Sequence, residues 1–92
     1  MAHLDVDLVA ADRKIWSGEA SMVSAPAADG EIGILPGHSP VLSVLRAGEV
    51  RVTPVSGAQL RGTIDGGFLS VDANRVTIVA DSVSMAPGAP TR

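Results

Sequence analysis

The sequence predicts an all-β domain, an antiparallel sandwich of about ten short strands. Glycine and proline recur so often between Gly18 and Gly67 that no stretch longer than seven residues lacks both. An ordinary helix of about 11 residues does not fit such intervals. Elsewhere apolar and polar residues alternate with the period of two expected of a half-buried strand. Only Trp16 and Phe68 are aromatic, so the core depends on aliphatic side chains.

The first part of the chain is predicted to form three strands. Apolar residues alternate with aspartates over 4–8. A turn at 11–13 leads into a strand over 14–19. A third strand, over 21–25, ends at Pro26, where a loop begins.

The middle of the chain contains a short strand, a turn and an ambiguous apolar segment. The strand covers 31–35 and ends at Pro36-Gly37, a pair typical of a tight turn that exposes His38. The apolar residues of 41–47 also fit helical spacing. Because seven residues is short for a helix, this segment is interpreted as a strand.

A hairpin follows, with strands over 49–55 and 58–64 joined across Ser56-Gly57. Pro54 has no backbone N–H to donate to a neighbouring strand. Its position therefore indicates an edge or a bulge near the end of the first of these strands.

Three strands, over 68–72, 75–80 and 81–85, complete the predicted sandwich. In the second of them Val76 and Ile78 alternate with Thr77 and are expected to point inward. The sandwich domain is predicted to cover 1–85. The tail over 86–92 is rich in proline, glycine and alanine, and it is expected to be disordered.

The composition excludes several classes of partner. Seven basic residues stand against ten acidic ones, so the chain lacks the positive field that binds nucleic acid or anionic lipid. No apolar run approaches the roughly 20 residues that cross a bilayer, so no direct membrane insertion is expected. Since cysteine is absent, disulfides and thiolate metal sites are excluded.

No catalytic, cofactor or metal site is predicted. Asp5, Asp7, Asp12 and Asp29 match no calcium loop and are interpreted as a solvated face. His38 has serines near it in sequence, but neither an orienting acid nor a nucleophile elbow accompanies it. The glycine pairs lack the lysine and the following helix of a phosphate-binding loop.

The segment GEIGILPGHSPVLSVLRAGEVRV, residues 30–52, resembles the central signature of F-type ATP synthase epsilon subunits. The similarity extends upstream to HLDV at 3–6 and WSGEA at 16–20. Downstream it includes DGGFLSV at 65–71 and NRVTIVADS at 74–82. The resemblance covers nearly the whole chain in the order of the family, which makes it specific.

This resemblance implies a β-sandwich of about ten strands, in agreement with the strand pattern. It implies a subunit that catalyses nothing itself and links the gamma subunit to the polar loops of the c-subunit ring. In this heteromeric complex the proton gradient drives ATP synthesis. Residues matching Glu31, Gly33 and His38 lie against the ring loops in the family. The resemblance also implies a peripheral location, within the F1 sector at the cytoplasmic face of a bacterial cell membrane.

The sequence departs from the family pattern at a few positions. Ser39-Pro40-Val41 stands where members commonly carry Ala-Pro-Leu, and Ser70 stands where they commonly carry glutamate. Many members continue into a carboxy-terminal helical hairpin that binds ATP in some species and inhibits hydrolysis. The resemblance ends before that hairpin, so neither activity is expected of these residues.

The residues alone leave a second class of function open, a free-standing sandwich that binds carbohydrate or peptide. Such a module usually shows exposed aromatic side chains or a long functional loop. Trp16 is interpreted instead as a core or interface anchor, since no second aromatic accompanies it. Co-purification with an assembled ATP synthase would distinguish the two classes.

Overall fold

A computed structural model describes residues 3–85, and these form seven strands and no helix. The strands are β1 (Leu4–Ala10), β2 (Arg13–Ala27), β3 (Gly30–Ile34), β4 (Val41–Pro54), β5 (Leu60–Asp72), β6 (Arg75–Ala80) and β7 (Val83–Met85). The all-β prediction is confirmed, and the ambiguous segment 41–47 lies in strand β4. The predicted disordered tail, 86–92, lies outside the described residues.

The strands form two layers because β2, β4 and β5 are long and bend from one layer into the other. The first layer contains β1 and β6 with the early parts of β2 and β4 and the late part of β5. The second layer contains β3 and β7 with the remaining parts of the three long strands. Each layer therefore holds five strand segments, which gives the sandwich its two faces.

About ten strands were predicted, and the structure has ten strand segments. These segments form only seven strands, because β2, β4 and β5 each run through both layers. Three predicted breaks, near positions 20, 48 and 66, lie inside β2, β4 and β5. Glycines stand at the last two positions, between the predicted strands. They permit bends through which the backbone hydrogen bonds continue.

Six of the seven strand pairings are antiparallel, and the pairing of β1 with β6 is parallel. The predicted antiparallel sandwich is therefore right for six pairings and wrong for this one. Short turns fix the relative direction of consecutive strands only. No short turn joins β1 to β6, so nothing in the local sequence determined their direction.

The core lies between the layers and consists of aliphatic side chains. Val76 and Ile78 are fully buried, as predicted, and they belong to one core cluster with the equally buried Leu4 and Leu69 among others. Trp16 is partly buried and packs against this core, consistent with its interpretation as an anchor.

Two strand ends have local causes. Pro54 ends β4 opposite Ala20, and the register of β2 shifts between Ala20 and Met22. Of the predicted edge or bulge, the structure has the bulge, on the paired strand. The last strand begins at Val83 rather than at the predicted position 81. There the backbone N–H of Ser82 donates a hydrogen bond to Oδ1 of Asp65, 3.2 Å away, and is not available to a neighbouring strand.

Candidate interaction surfaces

The three predicted ring-contact residues lie on β3 and in the turn that follows it. β3 pairs only with β2 among the described strands, so its other edge is open. Glu31 and Gly33 are exposed and alternate with Ile32 and Ile34, which pack toward the core. Three residues of strand, about 10 Å, separate Glu31 from the end of β3. His38 lies beyond that end, so the strand does not bring Glu31 and His38 into contact.

Two hydrogen bonds hold the turn before His38, one within the turn and one to a neighbouring connection. The His38 N–H donates to the Leu35 carbonyl at 3.1 Å, which closes a turn with Pro36 and Gly37 at its centre. Gly37 has φ of 89°, the left-handed conformation that this type of turn requires of glycine. Its N–H donates to Oδ1 of Asn74 at 2.7 Å, which ties the turn to the β5–β6 connection. The turn is therefore fixed by two hydrogen bonds, one from His38 back to Leu35 and one from Gly37 to Asn74.

The side chain of His38 is partly buried rather than fully exposed. Its Nδ1 lies 2.7 Å from the carbonyl oxygen of Ser39, so Nδ1 carries the proton and donates. The imidazole is thus oriented by the backbone of its neighbour, and Nε2 is left to interact with a partner. The Ser39 hydroxyl takes no part in this hydrogen bond, which argues against a catalytic pair.

An apolar patch covers the part of the first layer's outer face that β4, β5 and β6 form. It consists of Leu42, Val44, Phe68 and Val79, whose exposed fractions are 73%, 57%, 54% and 42%. Val44 pairs with Phe68 across β4 and β5, and Phe68 pairs with Val79 across β5 and β6. Side chains at such directly paired positions point the same way and touch. The four residues therefore form one continuous surface rather than scattered exposures.

The outer face of the second layer is polar. Arg51 donates from Nε to Oε1 of Glu49 at 2.8 Å. This hydrogen bond, together with the charges of Glu49 and Glu31, raises the pKa of Arg51 above its ordinary value. Gln59 and Arg61 continue the polar surface on β5 and its approach. This polar surface differs in chemistry from the apolar patch on the other layer.

Sequence reasoning missed the apolar patch. Each of its residues lies at an outward position of a predicted strand. Each strand therefore showed an apolar residue on its exposed face, but only one strand at a time. Continuity depends on the register between β4, β5 and β6, which pairs residues far apart in the chain. Alternation gives the face of a residue and not its cross-strand neighbour.

Asp7, on β1, has a hydroxyl and an ammonium group as neighbours. It pairs with Ser17 on β2, and its Oδ1 lies 3.4 Å from Nζ of Lys14. The pKa of Asp7 lies below its ordinary value, because the Ser17 hydroxyl donates to the carboxylate and the Lys14 charge favours the ionised form. The stability that this carboxylate contributes is present above its unfolded pKa. It is lost as pH falls through the lower folded pKa.

Replacing Ser17 by alanine should therefore raise the pKa of Asp7, since the first of these causes is removed. The measurement is an NMR titration of the Asp7 carboxyl carbon. Ser84→Ala, on the distant strand β7, is the control and should leave the titration of Asp7 unchanged. An unchanged Asp7 titration in Ser17→Ala would contradict the assignment of the hydrogen bond.

No helix long and apolar enough to cross a membrane occurs within the part of the chain that the structure describes. A family model described as ATP synthase, Delta/Epsilon chain, beta-sandwich domain matches residues 3–86.

Several relatives of this chain are ATP synthase epsilon chains. The protein from Rhodococcus erythropolis is 51% identical over 87 residues, which cover 94% of this chain and 71% of the relative. The protein from Micrococcus luteus is 51% identical over 89 residues, which cover 97% of this chain and 98% of the relative. The protein from Streptomyces avermitilis is 42% identical over 85 residues, or 92% of this chain and 68% of the relative.

Two solved structures share the fold. A chain in the Euglena gracilis mitochondrial ATP synthase, in a structure of its OSCP, F1 and c-ring, superposes with a TM-score of 0.86 at 24% identity. That match covers 92% of this chain and 54% of the other. A chain in the central stalk and c-ring of the Tetrahymena thermophila mitochondrial ATP synthase gives a TM-score of 0.76 at 19% identity, covering 87% and 64%. From the family match and the identities to its relatives, the chain belongs to the ATP synthase epsilon-chain family, whose delta/epsilon β-sandwich domain it forms.

Proposed function

We propose that this chain is a non-catalytic rotor subunit of an F-type ATP synthase and joins the gamma subunit to the c-subunit ring. Torque then passes through it between proton flow and the catalytic subunits that make ATP from ADP and phosphate. The complex lies at the cytoplasmic face of a bacterial cell membrane, with this chain in the peripheral F1 sector.

The observation that carries the proposal is that one sandwich presents both an exposed apolar patch and an open polar edge. The apolar patch suits a permanent protein partner, because burying Phe68 and its aliphatic neighbours away from water gives a favourable free energy of binding. The polar edge at Glu31 and Gly33 suits the polar loops of the ring, because the unpaired backbone groups of an open strand edge can hydrogen-bond to them. We assign the apolar patch to the gamma subunit and the β3 edge, with the His38 turn, to the ring.

The alternative of a carbohydrate-binding sandwich receives one supporting observation, since Phe68 is exposed and the absence of exposed aromatics was expected to exclude it. However, its direct neighbours are Val44 and Val79, which offer no hydrogen-bonding side chains to a sugar. The setting of Phe68 therefore favours a protein surface.

Introducing aspartate at Val44 should weaken binding to the gamma subunit, because a carboxylate would be desolvated within an apolar interface. We expect a loss on the order of tenfold or more, typical of a central interface position. Affinity can be measured by calorimetry or biolayer interferometry with the isolated gamma subunit of the same ATP synthase.

Val55→Asp provides a matched control, since Val44 and Val55 have the same exposed fraction of 57% and Val55 lies outside the apolar patch. This variant should bind the gamma subunit as the unmodified chain does. Equal losses in both variants, or none in Val44→Asp, would remove the apolar patch from the interface.

Cysteines introduced at Glu31 and His38 should cross-link to cysteines in the polar loop of the c subunit within the assembled enzyme. The chain has no cysteine of its own, so any product reports the introduced residue. Each contact lies at an exposed rim and should contribute modestly, about 1 kcal/mol or less. Single changes should therefore leave the complex assembled.

A cysteine at Asp7, on the outer face of the first layer, is the control and should cross-link to the ring much less. Products are separated by non-reducing electrophoresis and identified by mass spectrometry. Equal reaction at Asp7, Glu31 and His38 would show that the ring does not face the β3 edge. No reaction at Glu31 and His38 in an intact complex would show the same.

A further inference from the structure

Three side chains with metal-binding donor atoms meet where β1 begins. Asp5 on β1 and Glu19 on β2 are direct cross-strand partners, and His3 precedes Asp5 by two residues on the same face. His3 Nε2 lies 3.4 Å from Asp5 Oδ1 and 3.4 Å from Glu19 Oε2. One donor atom from each residue lies within 4.8 Å of the other two. The imidazole thus stands between two carboxylates that the strand register holds opposite each other.

The two distances of 3.4 Å lie in the range of ion pairs and also suit shared coordination of a metal ion, while they are long for hydrogen bonds. A charged N–H···O hydrogen bond is shorter, about 2.7–2.9 Å. Zinc bonds of about 2.0–2.1 Å at tetrahedral angles separate neighbouring ligand atoms by about 3.3–3.4 Å. Two carboxylates directly opposite each other on neighbouring strands also repel. A cation between them would remove that repulsion.

We infer that His3, Asp5 and Glu19 form a surface site for a divalent transition-metal ion such as Zn²⁺, with water completing the coordination. One imidazole and two carboxylates are a donor set that zinc accepts. Arg75 pairs with Asp5 from β6, and its charge opposes a bound cation, so we expect moderate affinity. Bound metal would fasten the residue before β1 to β2. This inference does not depend on the proposed rotor function.

The sequence alone pointed away from this site. The aspartates considered there were Asp5, Asp7, Asp12 and Asp29, of which only Asp5 belongs to the cluster. Glu19 joins it through strand pairing, and His3 joins it through its place on the same face as Asp5.

The test is a calorimetric titration of the untagged chain with Zn²⁺, together with thermal unfolding measured with and without Zn²⁺. Zn²⁺ should bind with one saturable site and raise the melting temperature. Replacing His3 by alanine should abolish both effects. Asp5→Asn and Glu19→Gln should each weaken binding about tenfold or more. Co²⁺ should give the visible absorption of a bound ion in the unmodified chain and not in His3→Ala.

Asp7→Asn is the matched control, because it removes the same charge two residues away on the same face of β1. It should leave Zn²⁺ affinity within about twofold of the unmodified chain, well below the loss expected for a ligand. The inference fails if the unmodified chain shows no saturable binding, or if His3→Ala binds equally well. It also fails if Asp7→Asn weakens binding as much as Asp5→Asn, since net charge would then explain the effect.

Discussion

Replacing Ile78 by alanine is expected to lower the free energy of unfolding by roughly 2–5 kcal/mol. Ile78 has no exposed surface, and it lies between Leu8 on β1 and Leu69 on β5, which are both buried. The substitution removes several methylene-sized groups from the centre of the first layer. The surrounding strands are held by their backbone hydrogen bonds and cannot close the cavity fully, so both the lost burial and the cavity contribute.

The loss would be large for this domain, because small domains have a total stability of about 5–15 kcal/mol. Val79→Ala is the control, since Val79 is the next residue on the same strand and points outward with 42% of its surface exposed. Urea unfolding followed by circular dichroism measures both variants. A loss below about 0.5 kcal/mol for Ile78→Ala would mean that the inward face of β6 is assigned wrongly.

The strands whose faces alternate could be predicted from the sequence. In β1 and β6 every second residue is apolar, and those residues are the buried ones. The long strands β2, β4 and β5 could not be predicted whole, because glycine near a bend and glycine at a strand end look the same in one sequence. Only the pairing partners on both sides show that the strand continues.

The candidate surfaces were also only partly predictable from the sequence. Glu31, Gly33 and His38 were assigned through the family resemblance, and their contact with the ring stays a prediction. The positions of these residues on an open edge and a fixed turn are structural findings. The apolar patch and the His3 cluster depend on contacts across strands, which one-dimensional periodicity does not encode.

Replacing Gly67 by alanine is expected to destabilise the domain by about 3 kcal/mol or more, through strain and overlap together. Gly67 lies where β5 passes between the layers, and its φ of 153° is rarely adopted by residues with a side chain. A Cβ atom there would overlap the carbonyl oxygen of Val79 and stand 2.9 Å from Cα of Ala80. Both obstacles are backbone atoms of β6, so only separation of the paired strands could make room.

Alanine substitutions at two other glycines distinguish the contribution of backbone strain from that of steric overlap. Gly66 has φ of 138°, but its added Cβ would meet only the Leu45 carbonyl oxygen at 3.5 Å, an ordinary contact. Gly66→Ala should therefore show the strain alone, about 1–3 kcal/mol. At Gly33 a Cβ would meet nothing within 4 Å, and Gly33→Ala should be neutral in the isolated chain. The losses, measured by urea unfolding, should rise in the order Gly33, Gly66, Gly67. If Gly67→Ala cost no more than Gly66→Ala, β5 and β6 would not pack as closely at the bend as the structure has them.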